Sequence, residues 1–173
     1  MTYQPYALAF AAPSFTVRSD DFVDDAPLPP SAYATDDRRG ESPHLAWDRL
    51  PAGTQSLVVT AFDPDAPIPG GLWHWLVKDV PAAVADLPRG AGAGAPTLPA
   101  PAVQLRNDLA VEGYSGVKPP PGTGTHRLVV CVTALSVPTL ELPPGASAAM
   151  VNICLIAHTL GRGLLTGTSR SDD

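Results

Sequence analysis

The sequence contains little cysteine. Of its 173 residues only Cys131 and Cys154 are cysteines, and neither stands in a CxxC pair or at the Cys/His spacing of a structural zinc site. Each lies inside an apolar run, which is a common setting for a small buried thiol. We therefore expect both thiols to be buried and reduced, and nothing in the sequence requires the one disulfide that they could form.

Positive charge and long apolar runs are also scarce. The chain has 11 Lys and Arg against 17 Asp and Glu, a net charge of −6, and no basic patch that would bind nucleic acid. No apolar run approaches the roughly eighteen residues of a transmembrane helix, and the first residues lack the basic and apolar regions of a secretory signal. We expect a cytoplasmic protein with no nucleic-acid partner and no transmembrane segment.

The composition that is present predicts a packed, β-rich domain. Hydrophobic residues make up 45% of the chain, so the 21 prolines punctuate loops and do not indicate disorder. Short strand-like runs at 57–62 and 128–135, separated by turn signals, favour a mainly antiparallel β-sandwich. We expect one domain over residues 1–173, in which residues 81–102 form a long surface loop.

One helix is predicted near the C-terminus. Ser147 is a suitable N-cap, and the residues that follow at helical spacing are Met150, Val151, Cys154, Leu155 and His158. Gly161 and Gly163 weaken the end of this segment. The spacing predicts a single amphipathic helix.

Two polar loops stand at the ends of the apolar runs. The first is DPDAP at 63–67, followed by GLWHW at 71–75, and its prolines hold Asp63 and Asp65 in a rigid loop after the first strand. By period-two alternation His74 lies on the face opposite Trp73 and Trp75. The second loop, KPPPGTGTHR at 118–127, precedes the second strand. Two such loops can face one another across a sheet end.

These strings resemble the signature of the phosphatidylethanolamine-binding protein family, which includes the Raf kinase inhibitor protein and bacterial relatives. The GYSGVKPPPGTGTHR string at 113–127 carries much of the likeness. SPHLAWDRLPAGTQSL at 42–57, VQLRND at 103–108 and GASAAMVN at 145–152 resemble the bacterial branch. The resemblance covers about residues 42–165. It implies a large β-sheet packed on a smaller one, with peripheral helices.

The resemblance also implies a ligand pocket for phosphate-like anions and phospholipid head groups. The residues that it carries into the pocket are Asp63, Asp65, Pro67, Trp73, His74 and His126. The two histidines would supply positive charge, while the aspartates would order the imidazoles and raise their pKa values. Backbone N–H groups of the Gly-Thr-Gly turn could complete an anion nest, and the carboxylates could contact an ethanolamine ammonium.

The sequence departs from the family pattern at two positions. Leu128 stands where a tyrosine usually follows the His-Arg pair, which removes a hydroxyl from the pocket. Val117 replaces a proline that is common after the GYxG glycine. These changes put the usual ligand preference in doubt.

Three functions follow from these residues. The first is a non-catalytic binding protein for a small anion or a phospholipid head group, with no cofactor. As relatives do, it would regulate a kinase or a protease. The sequence leaves open whether the protein forms a homodimer. The second is a metal-dependent hydrolase built on the Asp/His cluster, although the chain has no GxSxG or HExxH motif. The third is a scaffold with a vestigial pocket, which Leu128 favours.

Overall fold

The computed structural model describes residues 3–93 and 97–171, and within them it has two β-sheets and one α-helix. The strands are β1 Thr16–Arg18, β2 Ala26–Pro27, β3 Leu45–Asp48, β4 Ser56–Asp63, β5 Leu72–Pro81, β6 Asp86–Leu87, β7 Val103–Gln104, β8 Thr125–Leu135 and β9 Thr159–Arg170. The helix α1 spans Ala148–Leu155, and short 3-10 turns lie at Pro5–Ala7, Pro30–Ala32, Ala91–Ala93 and Ile156–His158. The predicted β-rich architecture with a C-terminal helix is confirmed.

The strands form a large sheet and a small one. The large sheet has the order β2-β9-β8-β4-β5-β7, and the small sheet has the order β1-β3-β6. The long strands β4, β5, β8 and β9 pair antiparallel, as the sequence predicts. The two-residue strand β2 runs parallel to β9, and the sheet is mainly antiparallel, as expected.

Apolar side chains fill two layers, one on each face of the large sheet. The inner layer lies between the sheets and includes Leu57, Val59 and Ala61 of β4, Leu128, Val130 and Val132 of β8, and Leu45 and Trp47 of β3. The outer layer packs α1 against the sheet through Val58, Leu76, Val151 and Leu155. Strands β4 and β8 are therefore covered on both faces, which explains why they read as continuous apolar runs.

The segment after the helix differs from the prediction. The α-helix ends at Leu155, and residues 159–170 form β9, the longest strand. This strand could not be predicted from the sequence, because glycine, a poor strand former, occupies inward positions such as Gly161 and Gly163. A Cβ on Gly163 would lie 2.3 Å from Val17 Cγ2, and one on Gly161 would lie 2.7 Å from Pro51 Cγ. Glycine is required at these positions because Phe15, Val17 and Pro51 pack directly against β9.

Gly163→Ala is expected to destabilise the protein by about 1–3 kcal/mol, the usual cost of overpacking a well-filled core. The added methyl group would also lie 3.0 Å from Phe15 O, a backbone atom that cannot rotate away. Denaturant unfolding measures the change, with Thr166→Ala on the other face of β9 as the control. Equal stability of the two variants would show that the layers have room at Gly163.

The segment 81–102 is more buried than expected. Leu87 in β6 is fully buried and pairs with Leu45, and Ala91 is 1% exposed. These side chains close one end of the inner layer, so the prediction of a surface loop is wrong for this part. The low hydrophobicity of the segment concealed that its few apolar residues serve the core. Residues 94 and 95 of the featureless 90–95 stretch lie outside the described residues.

The helix is less amphipathic than expected. Ser147 caps it as predicted, since Met150 N donates to Ser147 Oγ at 3.2 Å. Its outward face, however, carries Ile153, and the 3-10 turn that follows begins with Ile156; these side chains are 59% and 53% exposed. No helix of the described residues is long and apolar enough to span a membrane.

The two cysteines are free, but only one is buried. Cys131 lies within β8, and burial raises the pKa of its thiol to about 11. Cys154 is half-buried on α1, so the prediction of burial is wrong for this residue. Helical spacing placed it on the core side, and it lies instead at the margin of that side.

Candidate functional site

The site is built where three strands of the large sheet end together. Strand β4 pairs antiparallel with both β5 and β8, so its last residue, Asp63, lies opposite Leu72 at the start of β5 and next to the N-terminal part of β8. Asp63 and His126 both face the inner layer, and His126 Nδ1 lies 2.8 Å from Asp63 Oδ2. The two side chains are 8% and 2% exposed. The residues that the sequence separates by sixty-three positions thus form one buried hydrogen-bonded pair.

A β-bulge places His74 beside this pair. Ala61 pairs with Trp75 and Phe62 pairs with Trp73, so His74 is an extra residue in β5. The bulge interrupts the alternation that put both indoles on one face. Trp75 points into the inner layer, while Trp73 stacks on Phe62 at 4.4 Å between ring centroids on the outer face. The prediction that both indoles oppose His74 is therefore wrong.

The His74 ring is oriented by one strong hydrogen bond. Its Nδ1 lies 2.8 Å from Gly116 O, and a carbonyl oxygen can only accept, so Nδ1 carries a proton. In the neutral ring Nε2 is then an acceptor. Among the residues that the structure describes, Nε2 is buried and has no hydrogen-bond partner. An unsatisfied buried nitrogen of this kind costs free energy and calls for a ligand or another explanation.

Burial controls the charge of His74. Desolvation lowers the pKa of the His74 imidazole, and the nearby charge of Asp63 opposes this effect without overcoming it. The expectation that the aspartates raise the pKa is therefore wrong for His74. The sequence showed the carboxylates but not that the imidazole would be 3% exposed.

Asp65 does not order an imidazole. Its two carboxylate oxygens accept from Arg127 Nε and Nη2, each at 2.7 Å, and one also accepts from Arg127 N at 3.0 Å. This hydrogen bonding holds the pKa of Asp65 below its usual value. Asp65 N in turn donates to Asp63 Oδ1 at 2.8 Å. Asp65 thus fastens the Asp63 loop to β8, and this corrects the predicted role.

Asp65→Asn is expected to reduce the loss of free energy of unfolding that the protein shows at acid pH. A carboxyl group whose folded pKa is depressed stabilises the fold above its unfolded pKa, near 3.8, and this stabilisation is lost as the pH falls through the folded value. The variant should be less stable at neutral pH and lose less below pH 4. Unfolding curves across acid pH test this, with exposed Asp37→Asn as the control. An unchanged loss at acid pH would contradict the Arg127 pairing.

His126 makes hydrogen bonds through both nitrogens. Its Nε2 lies 2.8 Å from Thr123 Oγ1, and that hydroxyl donates its proton to Pro120 O at 2.7 Å. The Thr123 hydroxyl is therefore an acceptor for Nε2, and Nδ1 is hydrogen-bonded to Asp63 Oδ2. Both ring nitrogens of His126 are thus engaged within the protein. Thr123 N donates to Pro120 O at 3.3 Å, so it is not free for the predicted nest.

Asn107 holds the bulge in place and was missed from the sequence. Its Nδ2 donates to His74 O at 2.8 Å and to Gly113 O at 3.2 Å. Its Oδ1 accepts from the backbone N–H groups of Leu109 and Val111. The RND string at 106–108 was noticed as part of a resemblance, but nothing in it signals that one amide would make four bonds. Arg127, next to His126, was also missed.

The remaining predicted positions are more peripheral. Pro67 is exposed in the loop after Asp65, and Trp73 lies on the outer face, so their roles in ligand binding stay predictions. Leu128 is fully buried in the inner layer, two residues from His126. Val117 N donates to Ala32 O at 3.0 Å, a bond that proline could not make. Within residues 3–93 and 97–171, no three His, Cys, Asp or Glu side chains are grouped to hold a metal.

Comparison with known proteins gives the family. The family model of the phosphatidylethanolamine-binding protein matches residues 18–170. The UPF0098 protein YbhB of Escherichia coli K12 is 46% identical over 125 residues, which are 72% of this chain and 78% of YbhB. The protein named "Putative lipoprotein LppC" of Mycobacterium tuberculosis is 34% identical over 159 residues, which are 91% of this chain and 73% of LppC. The cytoplasmic location therefore stays a prediction.

The fold comparison agrees. The crystal structure of E. coli YbcL, described as a new member of the mammalian PEBP family, superposes with a TM-score of 0.85 at 34% identity, covering 91% of this chain and 99% of that one. The homologue CT736 from Chlamydia trachomatis gives a TM-score of 0.78 at 27% identity, covering 93% of this chain and 100% of that one. The expected resemblance is confirmed, and the chain belongs to the phosphatidylethanolamine-binding protein family.

Proposed function

We propose that this protein binds a small phosphate-like anion, free or as part of a phospholipid head group, at His74 Nε2. The observation that carries the proposal is the buried Nε2 without a partner, beside the Asp63–His126 pair. A ligand oxygen is the simplest group that would satisfy this nitrogen in a buried site.

The proposed binding is linked to a proton. Nδ1 is already protonated toward Gly116 O, so an anion oxygen that carries no proton, as in sulfate, can bind Nε2 only if the imidazole gains a second proton. The lowered pKa of His74 means that this proton is absent near neutral pH and must be taken up with the ligand. The Asp63 carboxylate, which would repel an anion, is itself hydrogen-bonded to His126 Nδ1.

Calorimetric titration of the whole chain with three ligands at pH 6 tests this function. Sulfate and phosphate represent the free anion, and glycerophosphoethanolamine represents the head group. Saturable binding of any of the three supports the pocket, and their order of affinity distinguishes the free anion from the head group. Failure of all three would favour the scaffold with a vestigial pocket.

The contacts of the two carboxylates do not favour the metal-dependent hydrolase. Asp63 is engaged with His126 and Asp65 with Arg127, so these carboxylates are not arranged as free metal ligands for a hydrolase. Regulation of a kinase or a protease, and a homodimer, stay predictions of the resemblance.

A further inference from the structure

The N-terminal segment, residues 3–15, crosses the outer face of the large sheet and leaves a groove beside β9. Arg162 N donates to Pro13 O at 2.8 Å, and further along the segment Tyr6 OH lies 3.3 Å from Thr60 Oγ1 on that face. Between the segment and β9 is a cavity of about 510 Å³, within the range of small-molecule sites. The groove lies on the opposite side of the sheet from the inward-facing Asp63 and His126.

The walls of this groove are largely apolar and include one charged side chain. Alanine, phenylalanine and leucine side chains form most of the lining, which includes Ala9, Phe10, Phe15 and Leu164. Leu164 is 44% exposed in the absence of any ligand. The charged group in the lining is the guanidinium of Arg162.

Arg162 is positioned but not neutralised. Its guanidinium carbon lies 4.6 Å from the Phe10 ring centroid and 5.4 Å from that of Tyr6, and Nη1 donates to Phe10 O at 3.3 Å. Within the described part of the chain, no carboxylate forms an ion pair with it. By contrast, Arg89, Arg127, Lys78 and Lys118 each pair with an aspartate. Aromatic rings that pack on the face of a guanidinium leave its in-plane N–H groups available as donors.

We propose that this groove binds a small carboxylate with an apolar body, such as a medium-chain carboxylic acid anion. The planar guanidinium of Arg162 matches a carboxylate bidentately. The alkyl chain would lie against Phe10 and Leu164 and remove their apolar surface from water. A groove with one cation, in a chain of net charge −6, does not suit a polyanion. The site is independent of the function proposed for His74.

NMR titration of the whole ¹⁵N-labelled chain with sodium octanoate tests the site. The expected result is saturable shifts at the amides of Phe10, Phe15 and Arg162, with little change at His74. Arg162→Gln should weaken binding about tenfold or more, because a charge-assisted bidentate contact is lost. The exposed Arg38→Gln is the matched control and should bind as the wild type does.

A second comparison separates ligand binding from a purely structural role of Arg162. Octan-1-ol has the same apolar body without the carboxylate and should bind the wild-type protein at least about tenfold more weakly than octanoate. This comparison of octanoate with octanol uses the wild-type protein, so it tests the site even if Arg162→Gln fails to fold. Absence of saturable octanoate shifts in the wild type, or equal binding of octanoate and octanol, would overturn the proposal. Arg162 would then serve only to fasten the N-terminal segment.

Discussion

Sulfate binding is expected to weaken about ten- to hundredfold when His74 is replaced by alanine, the scale of one lost charge-assisted hydrogen bond in a buried site. The side chain is 3% exposed and its Nε2 has no partner in the described residues, so its removal takes away the proposed contact, together with the contacts of Nδ1 with Gly116 O and Ser115 Oγ. Calorimetry at pH 6 measures the change. Sulfate is a suitable probe because it does not titrate between pH 5 and 8.

His158→Ala is the matched control for this variant. His158 is half-buried in the 3-10 turn after α1, and its removal should leave sulfate affinity unchanged. Equal weakening in the two variants would indicate a general effect of lost histidine charge. Unchanged affinity in His74→Ala would place the anion elsewhere.

Asn107→Ala is expected to have the largest effect on stability, about 3 kcal/mol. The side chain is 5% exposed and makes hydrogen bonds to four backbone groups. Each buried group left without a partner costs about 1–3 kcal/mol, and water entering the cavity recovers part of the sum. For a chain of this size the Tm should fall by about 6–12 °C.

Asn107→Ala should also weaken sulfate binding, because the amide holds the carbonyl of His74 and acts as a positioning residue for the bulge. Asn152→Ala is the control, since that half-buried amide donates only within α1, to Ala148 O. Thermal unfolding of both variants gives the comparison. A Tm loss for Asn107→Ala no greater than that for Asn152→Ala would contradict the role assigned to the amide.

The sequence predicted the parts of the fold that depend on apolar runs and turn residues. Strands β4 and β8 are apolar along their length because both faces are covered, and Ser147 caps the helix as its side chain allows. Strand β9 was missed because its inward positions are glycines, whose role is to admit Phe15 and Val17. Such a role depends on a neighbour distant in sequence.

The sequence predicted which residues lie in the site better than it predicted how they are arranged. Asp63, Asp65, His74 and His126 were expected to converge, and they lie together near the end of β4: Asp63 is hydrogen-bonded to His126 and to Asp65 N, and its charge acts on His74. Their role in binding a ligand stays a prediction. The bulge that turns Trp73 outward could not be predicted, because alternation assumes a regular ladder. The preference of Asp65 for Arg127 and the depressed pKa of His74 depend on burial and on side-chain geometry, which strand patterns do not encode.

Proton uptake on sulfate binding tests the central claim most directly. Titrations at pH 7 in buffers of different ionisation enthalpy give the number of protons taken up per anion. Because the folded pKa of His74 is lowered, the imidazole is neutral before binding, and uptake of about one proton per sulfate is predicted. Affinity should then rise as the pH falls toward the pKa of His74, and His74→Ala should take up none. Measurable binding without proton uptake in the wild type would show that neutral donors hold the anion and that His74 does not.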